Sequence, residues 1–296
     1  MSLDFRDNGR AIAAMTLSTA GFILNDSLVK LSADDLPFGQ ILIVRGGFSI
    51  VLMLAAFIAT GGHRHIRSLL HPAVAIRTLA ETMATLFYLT ALFHMPIGNS
   101  TAILQAMPLL VTAGAAIFFK APVGWRRWTA IGIGFIGVLL IVKPGLAGFN
   151  IWSLSALAGV ICMAVRDLAT QRMPREVSTF GVALASIAAV TILGIGFNVS
   201  EGWHPMEPKV YVYLAGAATL IVVGYVSLIM SMRIGEISVV APFRYAAVLW
   251  ALLLGYLIWG DLPDLLTVIG ILIIISTGIY TFFREQRLSR MPVTRS

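Results

Sequence analysis

Arg77, Glu81, Thr85 and Tyr88 recur at spacings of four, four and three, which puts them on one stripe of a helix. Thr101, Gln105, Pro108 and Thr112 repeat the device at four, three and four. Both sets lie inside long apolar runs, where a charged or hydrogen-bonding group is costly unless it faces protein, water or a ligand. Arg77 and Glu81 are placed to pair with each other. Glu81, deeper in its run, is equally placed to meet a ligand. Pro108 has no amide hydrogen, so it bends its helix and bares a carbonyl. Pro242 is expected to do the same further along. Arg244, just after Pro242-Phe243, is the strongest candidate for gripping a carboxylate, because a guanidinium binds that group bidentately. A buried pair with Glu81 is the competing expectation. Gln105 adds a polar contact, Tyr88, Tyr225, Phe243, Tyr245 and Trp250 offer aromatic walls, and Asn25 serves either a ligand or helix packing. Arg45 is expected to satisfy Asp26.

Other patterns carry little chemistry. Gly132, Gly134 and Gly137 spell GxGxxG, but inside an apolar helix rather than after a strand, so close helix packing explains them and dinucleotide binding does not. His63, His65 and His71 read as a basic loop, and Cys162, the single cysteine, as a packing residue. No nucleophile elbow, HExxH or Walker sequence is present, so no catalytic residue, metal or cofactor is expected.

The elements that must position these groups follow from composition. Apolar residues make up 58% of the 296, charged ones 12%, and mean hydropathy is +0.89. A soluble chain carries about twice that charge, so the lipid bilayer is the expected surrounding. The expected fold is an all-α polytopic membrane protein of ten transmembrane helices, at 10–29, 37–60, 72–93, 98–119, 126–143, 150–169, 178–197, 209–231, 237–259 and 264–283, parted by Pro and Gly turns. The net charge of +7 sits between apolar runs and points to orientation rather than to nucleic acid. With a cytoplasmic N-terminus, fourteen arginines and lysines fall in inner loops and tails (Arg6, Arg10, Arg64, Arg67, Lys120, Arg126, Arg127, Arg172, Arg175, Arg233, Arg284, Arg287, Arg290, Arg295) against Lys30, Lys143 and Lys209 outside. Both termini are therefore expected in the cytoplasm.

An internal repeat organises the ten. A shift of 137 lays YLTALFHMPIG, Tyr88 to Gly98, on YVSLIMSMRIG, Tyr225 to Gly235, and carries Thr101 to Ser238. A shift of 141 lays Asn25-Asp26 on Arg166-Asp167. The equivalents of Thr101, Gln105, Pro108 and Thr112 are Ser238, Pro242, Tyr245 and Leu249. The expected halves are 1–145 and 146–296, one integrated membrane domain. Five spans per half is an odd number, so the second copy enters the membrane from the opposite side, as in alternating-access carriers whose site lies between the repeats.

The stretches ALFHMPIGNSTAILQAMPLLVTAGAAIFF, GWRRWTAIGIGFIGVLLIVKPG and MRIGEISVVAPFRYAAVLWALLLGYLIWGDLP resemble EamA-type members of the drug/metabolite transporter superfamily, across essentially the whole chain. Within it the chain looks most like bacterial exporters of amino acids, including aromatic ones. Many members carry an acidic residue where this chain has Lys120-Ala121, while Asp261 remains in the second half. The resemblance implies a secondary transporter of the cytoplasmic membrane. Its partners would be a small-molecule substrate and the lipid bilayer, and a monomer is compatible with it. An intramembrane enzyme and a non-transporting assembly protein are the alternatives. The first would need convergent acid, base or metal groups; the second would move nothing in liposomes.

Overall fold

Proline and glycine punctuate the chain where its backbone leaves one helix for the next. The computed structural model describes residues 5–61, 68–120, 124–145, 149–174, 176–234 and 240–289. Ser238 of the repeat, Arg64, Arg67, Arg175, Arg290 and Arg295 of the charge bias, and His63 and His65 lie outside these residues. Among the described residues every regular element is helical. The helices are α1 (Phe5–Ser32), α2 (Phe38–Ala59), α3 (Pro72–His94), α4 (Ile97–Leu104), α5 (Met107–Phe119), α6 (Trp125–Val142), α7 (Trp152–Gln171), α8 (Thr179–Glu201) and α9 (Pro208–Ile234). A 3-10 turn (Ala241–Tyr245) then leads into α10 (Ala246–Trp259), and α11 (Leu265–Ser289) ends the described chain.

Local chemistry sets these ends. Pro72 and Pro208 open their helices, where no amide hydrogen is needed. Ser178 caps α8 by accepting from the Gly181 amide at 3.3 Å. Lys143 closes α6 in the left-handed region (φ 53), unusual for a residue with a side chain. Its ammonium is tied to Asp264, so a side-chain bond accompanies the costly backbone.

At 1.5 Å per residue, the 22 residues of α2 span roughly 33 Å, enough for a hydrocarbon core of about 30 Å. Nine segments among the described residues are long and apolar enough to cross a membrane, with α4 and α5 counted as one. α3, which carries Arg77 and Glu81, is not among them. Eight of the ten expected spans are single helices, and two differ. The span expected over 98–119 is broken at Gln105-Ala106, and the one over 237–259 enters its helix through the 3-10 turn. Proline is the physical reason for both. Pro108, at the start of α5, cannot donate to the carbonyl of Leu104, and Pro242 opens the 3-10 turn.

The chain divides into two compact units. The first comprises Met1–Ala20, Met95–Leu154 and Tyr225–Ser296; the second comprises Gly21–His94 and Ser155–Gly224. Each unit draws on both sequence halves. In the second unit α2 packs along α8; in the first, α6 packs along α11 and α4 against α10. The first two pairs join helices that hold the same place in the two halves, whereas α4 meets the counterpart of α5. Glycine permits the closest approaches. A Cβ on Gly39 would meet the Gly194 carbonyl at 2.6 Å, and one on Gly270 would meet the Gly137 carbonyl at 2.6 Å. Small residues let membrane helices bring their backbones together and gain dispersion contacts that lipid would otherwise supply. The Gly132–Gly137 run thus does pack a helix, through Gly134 and Gly137; Gly132 faces open space.

Candidate functional site

The second unit holds most of the charged groups at membrane depth, and it pairs them. Gly159 of α7 lies against the backbone of Tyr88, where an added Cβ would sit 3.1 Å from the Tyr88 nitrogen, and Ser155 donates to the Phe87 carbonyl at 2.8 Å. Held from that side, Tyr88 is buried and donates its hydroxyl to Asp26 at 3.1 Å. Asn25 donates to the same carboxylate at 2.8 Å, and Arg45 is near enough for its charge to act on it. Asn25 is 3% exposed, and its Oδ1 has no hydrogen-bond partner among the described residues. Lys30 donates to the Leu92 carbonyl at 2.8 Å, fixing α1 to the end of α3.

Arg77 and Glu81 do not satisfy each other as their spacing suggested. Arg166 of α7 bonds Glu81 at 3.1 Å, while Arg77 donates to Thr170 at 3.1 Å and to Ser186 at 2.8 Å. Neighbouring helices offer better-placed partners than the next turn of the same helix. Glu81 thus has its cationic partner inside its own unit. Arg166 also donates to Asp167 at 2.8 Å, the same neighbour-to-neighbour bond that Asn25 makes to Asp26. The two dipeptides equated by the repeat thus share a side-chain geometry. That equivalence was the signal by which Arg166 could have been found; Gln40, which exchanges two 2.8 Å bonds with the His204 backbone, left no such trace.

The first unit is arranged otherwise. Under the shift of 137, the break at Gln105 falls on Pro242, so the two helix interruptions are repeat-equivalent. They also meet: Gln105 donates its amide to the Arg244 carbonyl at 3.4 Å. Arg244 is exposed, and within its own unit its guanidinium has no carboxylate partner among the described residues. Phe243 beside it is 38% exposed. Tyr245 is half-buried, with its hydroxyl over Gly278 of α11. One turn before Gln105, the fully buried Thr101 keeps its hydroxyl without a partner among the described residues, as does the Trp250 indole nitrogen. Tyr225, at the start of the last segment of this unit, is exposed on α9. Gln105, Pro108, Pro242, Phe243, Arg244 and Tyr245 are thus brought to one pair of broken helices. Asn25, Glu81 and Tyr88 belong to the second unit.

An exposed guanidinium and aromatic faces beside a helix break suit reversible binding of a small amphipathic anion or zwitterion. They offer no acid–base pair and no nucleophile with its base. Among the described residues, no three His, Cys, Asp or Glu side chains gather to hold a metal ion.

Comparison with known proteins agrees in kind. The model of the EamA-like transporter family matches twice, over residues 10–143 and 150–283. A riboflavin transporter of Vibrio cholerae is 23% identical over 94% of this chain and 95% of its own length. The pseudopaline exporter CntI of Pseudomonas aeruginosa is 21% identical over 93% of this chain and 96% of its own. An S-adenosylmethionine uptake transporter of Rickettsia conorii is 22% identical over 92% of each. A solved crystal structure, 17% identical, matches with a TM-score of 0.60 over 93% of this chain and 98% of that one, which shows a shared fold.

Proposed function

The chain belongs to the EamA-like transporter family, a multi-pass membrane transporter of two five-helix repeats and not an enzyme, and on that premise we propose that it exports small amphipathic metabolites bearing a carboxylate. Amino acids, aromatic ones included, are the leading class. The observation that carries this reading is the exposed guanidinium of Arg244, without a carboxylate partner in its unit among the described residues, at the meeting of two repeat-equivalent helix breaks. Arg244 takes the carboxylate, Gln105 holds the backbone of the second break in place, and Phe243 and Tyr245 supply apolar faces. The proline-interrupted helices suit alternating access, because a break concentrates bending at one place along a helix. Asn25, Glu81 and Tyr88 stand as candidate contacts of the second unit taken by itself, where the Asn25 Oδ1, without a partner among the described residues, can accept a hydrogen bond. The division into repeats at 1–145 and 146–296 is supported by the paired family match and by the shared geometry of Asn25-Asp26 and Arg166-Asp167.

The excess of arginine and lysine in alternate loops supports a cytoplasmic-membrane location with both termini inside. Export is the direction proposed, although relatives are named both for export and for uptake. Their named cargoes belong in the test. The purified chain in liposomes, preloaded in turn with labelled amino acids, riboflavin, pseudopaline or S-adenosylmethionine, should show counterflow with an amino acid. Counterflow confined to the other three would overturn the cargo assignment, and none with any of them would overturn carriage of these metabolites.

A further inference from the structure

A groove of about 420 Å³ opens between the first turns of α6 and the middle of α11. Trp125, Arg126, Thr129 and Ile133 line one side, Ser276 and Tyr280 the other. Its two ends differ in chemistry. At one end Trp125 is 71% exposed, with the Arg126 guanidinium 5.4 Å from its ring centroid, a cation–π contact that leaves hydrogen-bonding edges available. Tyr280 stands exposed across from them, and Arg284 follows it by four residues on the same helix face. Trp and Tyr with basic neighbours are the side chains that settle at a membrane's headgroup level. One turn deeper are the hydroxyls of Thr129 and Ser276, both exposed, and one turn deeper again the half-exposed, aliphatic Ile133.

Cationic, then hydroxyl, then aliphatic is the order of an anionic phospholipid from phosphate through ester to acyl chain. We propose that this groove binds one anionic phospholipid, with the phosphate on Arg126 and Arg284 and an acyl chain along Ile133. Charge complementarity selects an anionic lipid over a zwitterionic one, and the aliphatic depth of the groove selects a lipid over a free anion. The assignment needs only that α6 and α11 cross a bilayer, so it stands or falls apart from the cargo.

Quenching of Trp125 by brominated lipid reads occupancy directly, taken as the difference between the full chain and its Trp125→Phe variant in the same phosphatidylcholine bilayers. Dibrominated phosphatidylglycerol should half-quench Trp125 at a mole fraction about fivefold or more below that of dibrominated phosphatidylcholine, since even one basic side chain confers about fivefold near a lipid surface. Arg126→Gln should shrink that preference towards one, and Arg126→Lys should keep most of it. Inorganic phosphate at millimolar concentration should leave the quenching unchanged. Equal quenching by the two lipids, a preference untouched in the Arg126→Gln, Arg284→Gln double variant, or displacement by inorganic phosphate would each overturn the proposal.

Discussion

The two compact units answer the cost of polar groups in a membrane in opposite ways. In the second, Asp26, Glu81, Arg166, Arg77 and Lys30 are each tied to a partner on the same or a neighbouring helix. In the first, glycine and aliphatic contacts join α6 to α11, with the Lys143–Asp264 pair tying them at one end, and the charge at the helix breaks, on Arg244, is left without a carboxylate inside its unit among the described residues. Each of the two five-helix repeats contributes helices to both the cross-braced unit and the interrupted one. A braced charge contributes to rigidity. An uncommitted one is available to a ligand, which is why the interrupted unit carries the proposed grip on cargo.

The sharpest way to break this contrast is to exchange its signatures. Arg244→Ala should cut transport of a carboxylate-bearing cargo by about tenfold to a hundredfold, the worth of a charge-assisted bidentate contact, while thermal stability in detergent stays close to that of the parent. Arg166→Ala should do the reverse. Leaving Glu81 and Asp167 without their guanidinium should cost about 2 kcal/mol of stability, and adding Glu81→Gln should recover part of it. If Arg166→Ala left stability unchanged and Arg244→Ala lowered it, the two units would have been misassigned.

Packing comes next in size and treats the units alike. Gly39→Val and Gly137→Val push a side chain into facing backbone, and each should cost about 1–3 kcal/mol. Gly132→Ala, in the same helix as Gly137 but facing open space, should be neutral or slightly stabilising. Tyr88→Phe removes one hydrogen bond to Asp26 and should cost about 1 kcal/mol.

The smallest effect concerns acid. The Lys143 ammonium and the Thr267 amide hold the Asp264 carboxyl down at about 2, below its ordinary 3.8. A group depressed on folding stabilises above its unfolded value and loses that stabilisation as pH falls through the folded one. Asp264→Asn should therefore flatten the slope of stability between about pH 4 and pH 2, and only slightly, because Asp264 is 58% exposed.

The spans and their turns were legible because a bilayer permits little else than long apolar helices punctuated by Pro and Gly. Pro108 and Pro242 marked where two helices would yield. Their missing amide hydrogens suggested a bend, whereas the α-helix stops at Gln105-Ala106 and starts again, and tightens into a 3-10 turn at Ala241–Tyr245. Partnerships were the illegible part. The stripe of Arg77 and Glu81 shows which face of α3 is polar, but not that α7 and α8 bring Arg166, Thr170 and Ser186 to it. The division into units was hidden for the same reason, since each assembles helices far apart in the chain.

The central claim is that Arg244 recognises a carboxylate. Counterflow of labelled phenylalanine and of phenylethylamine, its decarboxylated counterpart, tests this most directly in liposomes containing either the parent chain or Arg244→Gln. The parent should favour the acid by about tenfold or more, and Arg244→Gln should bring the ratio towards one by losing the acid and not the amine. A preference for the acid that survives unchanged in Arg244→Gln would contradict the account.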